Sequence, residues 1–352
     1  NADQNPLYHP SNRDRFYGIP SGSRQAVIEA EYCCDFTFTN NVVIDNQGTN
    51  AVIYMADKNN TRNPVIDLHD NQFLDVGKEG GIGVHDHSTI YIHEVLPYES
   101  GIEASNYPHA FIYNNIFTGY KAGAENAYCA IECAVSAELY NNEISNYWYG
   151  ILFATKNKDN RVHAYSNTFY NVANSFFLWA YRRSSTEIID NEIRSFELIK
   201  LTNNKTYTDP SKLTKELNYV EYTPDVDGYI IHNYSFIRNY GTDVTTNWGA
   251  VIVEGNVYEL SDTIDYKVDN TLAKTCLPIQ LSGTTAQSVR STGIKIERIE
   301  INNNTFINLP FSVLRLTAFS HYKKISFSKN TVDGCFNKAS VFATGSGRSL
   351  VF

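Results

Sequence analysis

Basic residues are scarce. Lys and Arg total 29 against 38 Asp and Glu, a formal net charge of −9. A surface that grips phosphates needs basic patches, so this balance argues against nucleic acid as a partner. Charged residues make up 19% of the chain beside 42% hydrophobic, too few charges for a disordered polymer. No apolar run is long enough to cross a bilayer, so no membrane insertion is expected. No signal peptide is visible, and the chain begins with Asn1. It therefore reads as a mature or trimmed piece of something longer. The six cysteines, Cys33, Cys34, Cys129, Cys133, Cys276 and Cys335, form no CxxC pair and no zinc-finger spacing. Most read as small thiols filling a core, with Cys129 and Cys133 placed to share one strand face. No cofactor and no metal ligand set is assigned.

Methionine occurs once, whereas tyrosine occurs 25 times and phenylalanine 19 times. Aromatic usage of this kind suits β structure with amphipathic surfaces. Asparagine is heavily used, and its placement is regular. The frame is apolar, any, apolar, two residues, Asn, any, apolar. Phe36 and Phe38 lead to Asn41 and Val43, and Ile66 and Leu68 to Asn71 and Phe73. The frame returns at Asn115, Asn142, Asn167 and Asn191, imperfectly at Asn233, and again at Asn256, Asn304 and Asn330. Subtraction gives steps of 30, 44, 27, 25, 24, 42, 23, 48 and 26 residues. Self-similarity on this scale marks a solenoid, and the period of two inside each unit makes the units strands. Asn tolerates the left-handed backbone of a tight corner, and stacked amides can bond along the axis.

The expected fold is all-β: a right-handed parallel β-helix of about ten coils with Asn-stacked corners. Residues 1–25 read as an irregular lead-in, with "AVIEAEY" as the first strand. Residues 26–352 read as one domain with insertions near 77–109, 202–228 and 260–293. The second insertion has a helix-like centre from Ser211 to Leu217. Such loops are where solenoids carry function.

The Asn-stacked coils resemble the pectate-lyase-like β-helix superfamily over residues 26 to about 345. That resemblance implies a secreted protein acting on, or binding, polysaccharide. It does not choose between enzymes and adhesins. Signatures of a polygalacturonase-like site, an Asn-Thr-Asp, an Asp-Asp pair, a His-Gly and an Arg-Ile-Lys, do not occur. Asp67 and Asp70 lie near Asn71, but no second carboxylate pair follows one coil on, as a calcium-dependent lyase site needs. Glu138 and Glu143 are scattered. The stretch "GVHDHSTIYIHE" gathers His85, Asp86, His87, His93 and Glu94, flanked by His69 and His109. It reads either as a metal or catalytic site or as a polar loop.

Aromatics carry the stronger signal. Tyr147, Trp148 and Tyr149 follow Ile144 at a corner. Aligning the next repeat puts Phe176 and Leu178 inward, which turns Phe177 and Trp179 outward, with Tyr181 beyond. Tyr207, Tyr219, Tyr222, Tyr229, Tyr240 and Trp248 crowd the second insertion and its exit. Coils spaced about 4.8 Å apart could align such rings as a flat strip for sugars. The other reading is a small core between loop and solenoid. With this size, this Tyr-rich content and a long loop over one face, the chain resembles the C-terminal domain of tāpirins, cell-surface cellulose-binding adhesins. The resemblance implies extracellular, non-catalytic binding of an insoluble, cellulose-like glucan. The rival is a polysaccharide lyase or hydrolase working beside the His-rich insertion. A trimeric tailspike-like adhesin is a third reading.

Overall fold

The structure is a computed structural model. It describes residues 28–31, 35–44, 53–56, 65–76, 88–93, 109–119, 127–153, 160–180, 193–208, 220–223, 228–231, 235–241, 246–260, 279–282, 294–308, 313–319, 322–334 and 341–345. Among these residues the protein is all-β, without a helix. Three long parallel sheets hold ten, nine and nine strands, and a two-stranded antiparallel hairpin pairs Val220–Thr223 with Gly228–Ile231.

The hairpin apart, the chain visits the three sheets in strict rotation, here named A, B and C. Ile28–Glu31 lies in A, Phe36–Thr39 in B and Val42–Ile44 in C, and Ile53–Ala56 then returns to A beside the first strand. The strand Ile28–Glu31 falls within the stretch expected to open the repeat. Strands of one sheet pair in register with the strand one rotation earlier, as Ala137 with Ala110 and Leu139 with Ile112. This is the long-parallel-sheet arrangement that the period-two repeat predicts.

Alternation builds the interior. In Ser136–Tyr140 the even positions are half-buried, while Ala137 and Leu139 are buried. The same inward rows run along sheet B through Ile66, Ala110, Ala137, Val162 and Ile199, one residue per strand. In sheet C the inward row includes Phe73, Phe117, Ile144 and Phe169, all fully buried. Phe73 and Phe117 stack with ring centroids 4.9 Å apart.

Each passage from sheet B to sheet C is a two-residue corner, and the corner explains the asparagines. Nine of them, Asn41, Asn71, Asn115, Asn142, Asn167, Asn204, Asn256, Asn304 and Asn330, form one continuous ladder. Each Nδ2 donates to the next Oδ1 at 2.9–3.2 Å. The same Oδ1 accepts the backbone N–H of the preceding rung, for example Asn142 N to Asn167 Oδ1 at 3.1 Å. From Asn71 onward, the second Nδ2 hydrogen goes to a sheet B carbonyl, as Asn167 to Leu139 O at 2.8 Å. The amide's donors and acceptor are thus all used in a buried position, which is what makes the rung stable there.

Two expectations are corrected. The left-handed residue of the corner is not the ladder asparagine but the one before it. Asn40, Asp70, Asn114, Asn141, Ser166, Asn203, Asn303 and Lys329 have φ of 54–56°, with Gly255 at 68°. Second, Asn204, which the frame does not name, is a rung, while the expected Asn191 and Asn233 lie outside the described residues. The ladder passes from Asn167 to Asn204 and then to Asn256. Asn204 and the sheet C strand Lys205–Thr208 fall inside the stretch expected as an insertion from 202. Ser88–His93, inside the expected 77–109 insertion, is a sheet A strand. The expected helix-like centre, Ser211–Leu217, lies outside the described residues.

Candidate functional site

Sheets A and B treat their outer faces differently. In sheet A, every residue of Ala127–Cys133 and of Tyr147–Phe153 is buried, so both faces of those strands are covered. This revises the expected strip. Tyr147, Trp148, Tyr149 and Phe177 are 0%, 5%, 5% and 3% exposed. They pack as a covered cluster: Tyr149 meets Phe177 at 4.4 Å and Tyr128 edge-on at 5.2 Å. Tyr147 is tied to Thr89 through its hydroxyl at 2.9 Å. Tyr207 is half-buried in sheet C and stacks on the exposed Tyr170 at 5.6 Å. Trp179, Tyr222 and Trp248 have strand backbones, but their side chains, with all of Tyr181 and Tyr219, lie outside the described residues.

The covered side of sheet A also holds polar groups. Ser88 Oγ donates to Glu132 Oε2 at 2.7 Å, and both residues are buried. Cys129 pairs in register with Ser88. Burial, then the nearby Glu132 charge, pushes the Cys129 thiol well above its ordinary range, so it is no reactive thiolate. Cys129 and Cys133 are both buried, as core-filling thiols should be.

Of the histidine group, His85, Asp86, His87 and Glu94 lie outside the described residues. His93 ends a sheet A strand and His109 begins a sheet B strand. Among the described residues no group of three or more His, Cys, Asp or Glu could hold a metal ion.

Sheet B carries the open face. Its outer row beside the ladder corner reads His69, Tyr113, Tyr140, Tyr165 on four successive strands. The rings stack almost parallel: His69 on Tyr113 at 4.7 Å and 8°, Tyr113 on Tyr140 at 4.7 Å and 4°, Tyr140 on Tyr165 at 4.9 Å and 6°. Stacking at the strand spacing hides most of each ring face. What the stack presents outward is ring edges and a row of hydroxyls. The sequence signal was available: each of these residues stands two places before a ladder asparagine, in "LHDN", "IYNN", "LYNN" and "AYSN".

The neighbouring outer row carries charge. It reads Asp67, Phe111, Glu138, His163 and Lys200 across five strands. His163 Nδ1 lies 3.5 Å from Glu138 Oε2, its Nε2 lies 2.9 Å from Thr202 Oγ1, and its ring meets Tyr165 at 4.4 Å. Burial raises the Glu138 carboxyl above its ordinary range, against the pull of Lys200. At the other end, His69 Nδ1 sits 2.7 Å from Asp70 Oδ2, and that bond holds the Asp70 carboxyl below its ordinary value. Desolvation and the surrounding carboxylates raise all three ladder phenols, which therefore stay protonated as donors at neutral pH.

The chain matches no protein-family model, no curated protein and no solved structure. The site must therefore be read from its own chemistry.

His163 gives a pH prediction. Burial, then Lys200, lowers its pKa from the ordinary 6.5. The unfolded chain then binds the extra proton first as pH falls, so the stability is held above 6.5 and eroded below it. His163→Gln removes that titration. Urea midpoints taken near neutral pH and near pH ~5 should fall less in the variant than in the parent. An equal fall in both would show that His163 does not contribute.

Proposed function

We propose that this chain is an extracellular, non-catalytic module that binds insoluble polysaccharide, as the tāpirin resemblance implies. The strands then close into a right-handed parallel β-helix of about ten coils, the hand that parallel crossovers take. The observation that carries the reading is the straight outer row His69, Tyr113, Tyr140, Tyr165, with Asp67 and Glu138 beside it. A long glycan laid along the axis meets a phenol donor at three successive strands and carboxylate acceptors alongside. Several modest hydrogen bonds and the dewetting of ring edges sum over the polymer's length. The mechanism thus shifts from sugar rings stacked on a flat platform to hydroxyls read by a comb of edges. Among the described residues no helix is long and apolar enough to cross a membrane.

The test is a pull-down with crystalline cellulose and other insoluble glycans. The parent protein should sediment with at least one of them. Tyr140→Ala, in the middle of the stack, should release it at least ~10-fold, the scale of one lost hydrogen bond to a charged or polar partner. Full recovery of the parent in every supernatant would sink the proposal.

A second reading rests on the Glu138–His163 pair. A carboxyl raised in pKa beside an imidazole is the pairing a general acid and base need. New reducing ends or unsaturated uronates, on incubation with acidic and neutral polysaccharides, would favour a hydrolase or lyase instead.

A further inference from the structure

Tyr113, Tyr140 and Tyr165 are aligned for a chemistry separate from glycan binding. They hold the same register position on three adjacent parallel strands. Their rings are parallel within 4° and 6°, with centroids 4.7 and 4.9 Å apart. Like atoms of neighbouring rings therefore lie about one strand spacing apart, with ring edges toward solvent. All three residues are part-exposed. Proton acceptors flank the row. The Asp67 carboxylate acts on Tyr113, and Oδ1 of Asp67 has no hydrogen-bond partner among the described residues. The His163 imidazole stands 4.4 Å from Tyr165.

We propose that this ladder is an oxidative modification site, where neighbouring tyrosines couple into intramolecular dityrosine. The oxidant class is a haem peroxidase with hydrogen peroxide. Each of two phenols loses one electron to the peroxidase and one proton to a neighbouring base or water. The two phenoxyl radicals join through a carbon–carbon bond between ring positions ortho to the hydroxyls. The hydrogen on each joined carbon leaves as the phenols re-form. One peroxide and two phenols thus give one biphenol and two waters, so atoms and electrons balance. Flanking bases favour the step because phenol oxidation must shed a proton. The link would staple strands 27 and 25 residues apart in sequence, by subtraction of 113 from 140 and 140 from 165. It would do so without cysteine, in the oxidising surroundings expected of a cell-surface protein.

The stack also ranks the tyrosines. Tyr170 and Tyr207 are farther apart and less parallel, at 5.6 Å and 19°, and should couple less. The experiment treats the folded protein with peroxidase and hydrogen peroxide. It reads dityrosine fluorescence on the monomer band, then maps crosslinked peptides by mass. A Tyr113–Tyr140 or Tyr140–Tyr165 peptide, lighter by two hydrogens, is expected. Tyr140→Phe should lose most of the fluorescence, and Tyr113→Phe or Tyr165→Phe should each remove one link and keep the other. Circular dichroism checks that each variant is folded. No dityrosine on the monomer, the same yield from urea-unfolded chain, or undiminished signal in folded Tyr140→Phe would each overturn the proposal.

Discussion

Asn167→Ala should lower the unfolding free energy by about 2–5 kcal/mol, among the largest effects of any polar substitution in this chain. The side chain is fully buried. Its Nδ2 donates to Asn204 Oδ1 at 3.0 Å and to Leu139 O at 2.8 Å. Its Oδ1 accepts Asn142 Nδ2 at 2.9 Å and Asn142 N at 3.1 Å. Truncation strips a partner from a buried carbonyl and a buried backbone N–H, each costing ~1–3 kcal/mol when left unpaired. It also cuts the ladder between rungs on either side. Urea unfolding should show a lower midpoint with an unchanged slope, because native compactness is unaltered. Asn141→Gly is the matched control. Asn141 is exposed, sits at φ 54°, and glycine accepts that backbone, so a shift within ~0.5 kcal/mol is expected. If both variants shift equally, the ladder is not what stabilises the corner.

Gly150→Ala should cost about 3 kcal/mol, at the upper end for overpacking. A Cβ at Gly150 would lie 2.6 Å from a Phe169 ring carbon and 2.7 Å from the Ser175 carbonyl oxygen. One neighbour is a fully buried ring and the other is backbone, so neither yields cheaply. Thermal unfolding measures the loss. Adding Phe169→Leu should relieve part of the clash. The double variant should then lose less than the two single losses summed, since residues in contact do not add. Strict additivity would mean that the strand shifts elsewhere instead.

Much of this architecture was legible in the sequence because the corner imposes a fixed chemical frame. An asparagine must stand where a buried amide can bond both neighbours, and apolar residues must alternate before it. Eight of the nine rungs follow from that frame. The ninth, Asn204, escaped because its following inward residue is Thr206 rather than an apolar one. Thr206 is fully buried, and its hydroxyl is satisfied by Ser175 Oγ at 2.8 Å, a partner one sheet away. The frame records local alternation and not which strand lies alongside.

The candidate site was less legible. The sequence places Trp148 and Phe177 on strands, but their exposure depends on what covers the outer face of sheet A. The stack of His69, Tyr113, Tyr140 and Tyr165 depends on register between strands 25–44 residues apart, by subtraction of their positions. Each tyrosine alone is ordinary. Only when successive strands of sheet B align do four rings become one surface.

The corner motif returns as the dividing line. By itself the sequence determined the strands, their period and most of the asparagine ladder, since those follow from backbone geometry and the need to satisfy buried amides. The tertiary structure decided which residue of each corner takes the left-handed conformation. It decided that Tyr147, Trp148 and Tyr149 are covered, and that sheet B rather than sheet A offers the open aromatic row. Those outcomes depend on which segments pack beside which, and burial is a property of the whole assembly of strands.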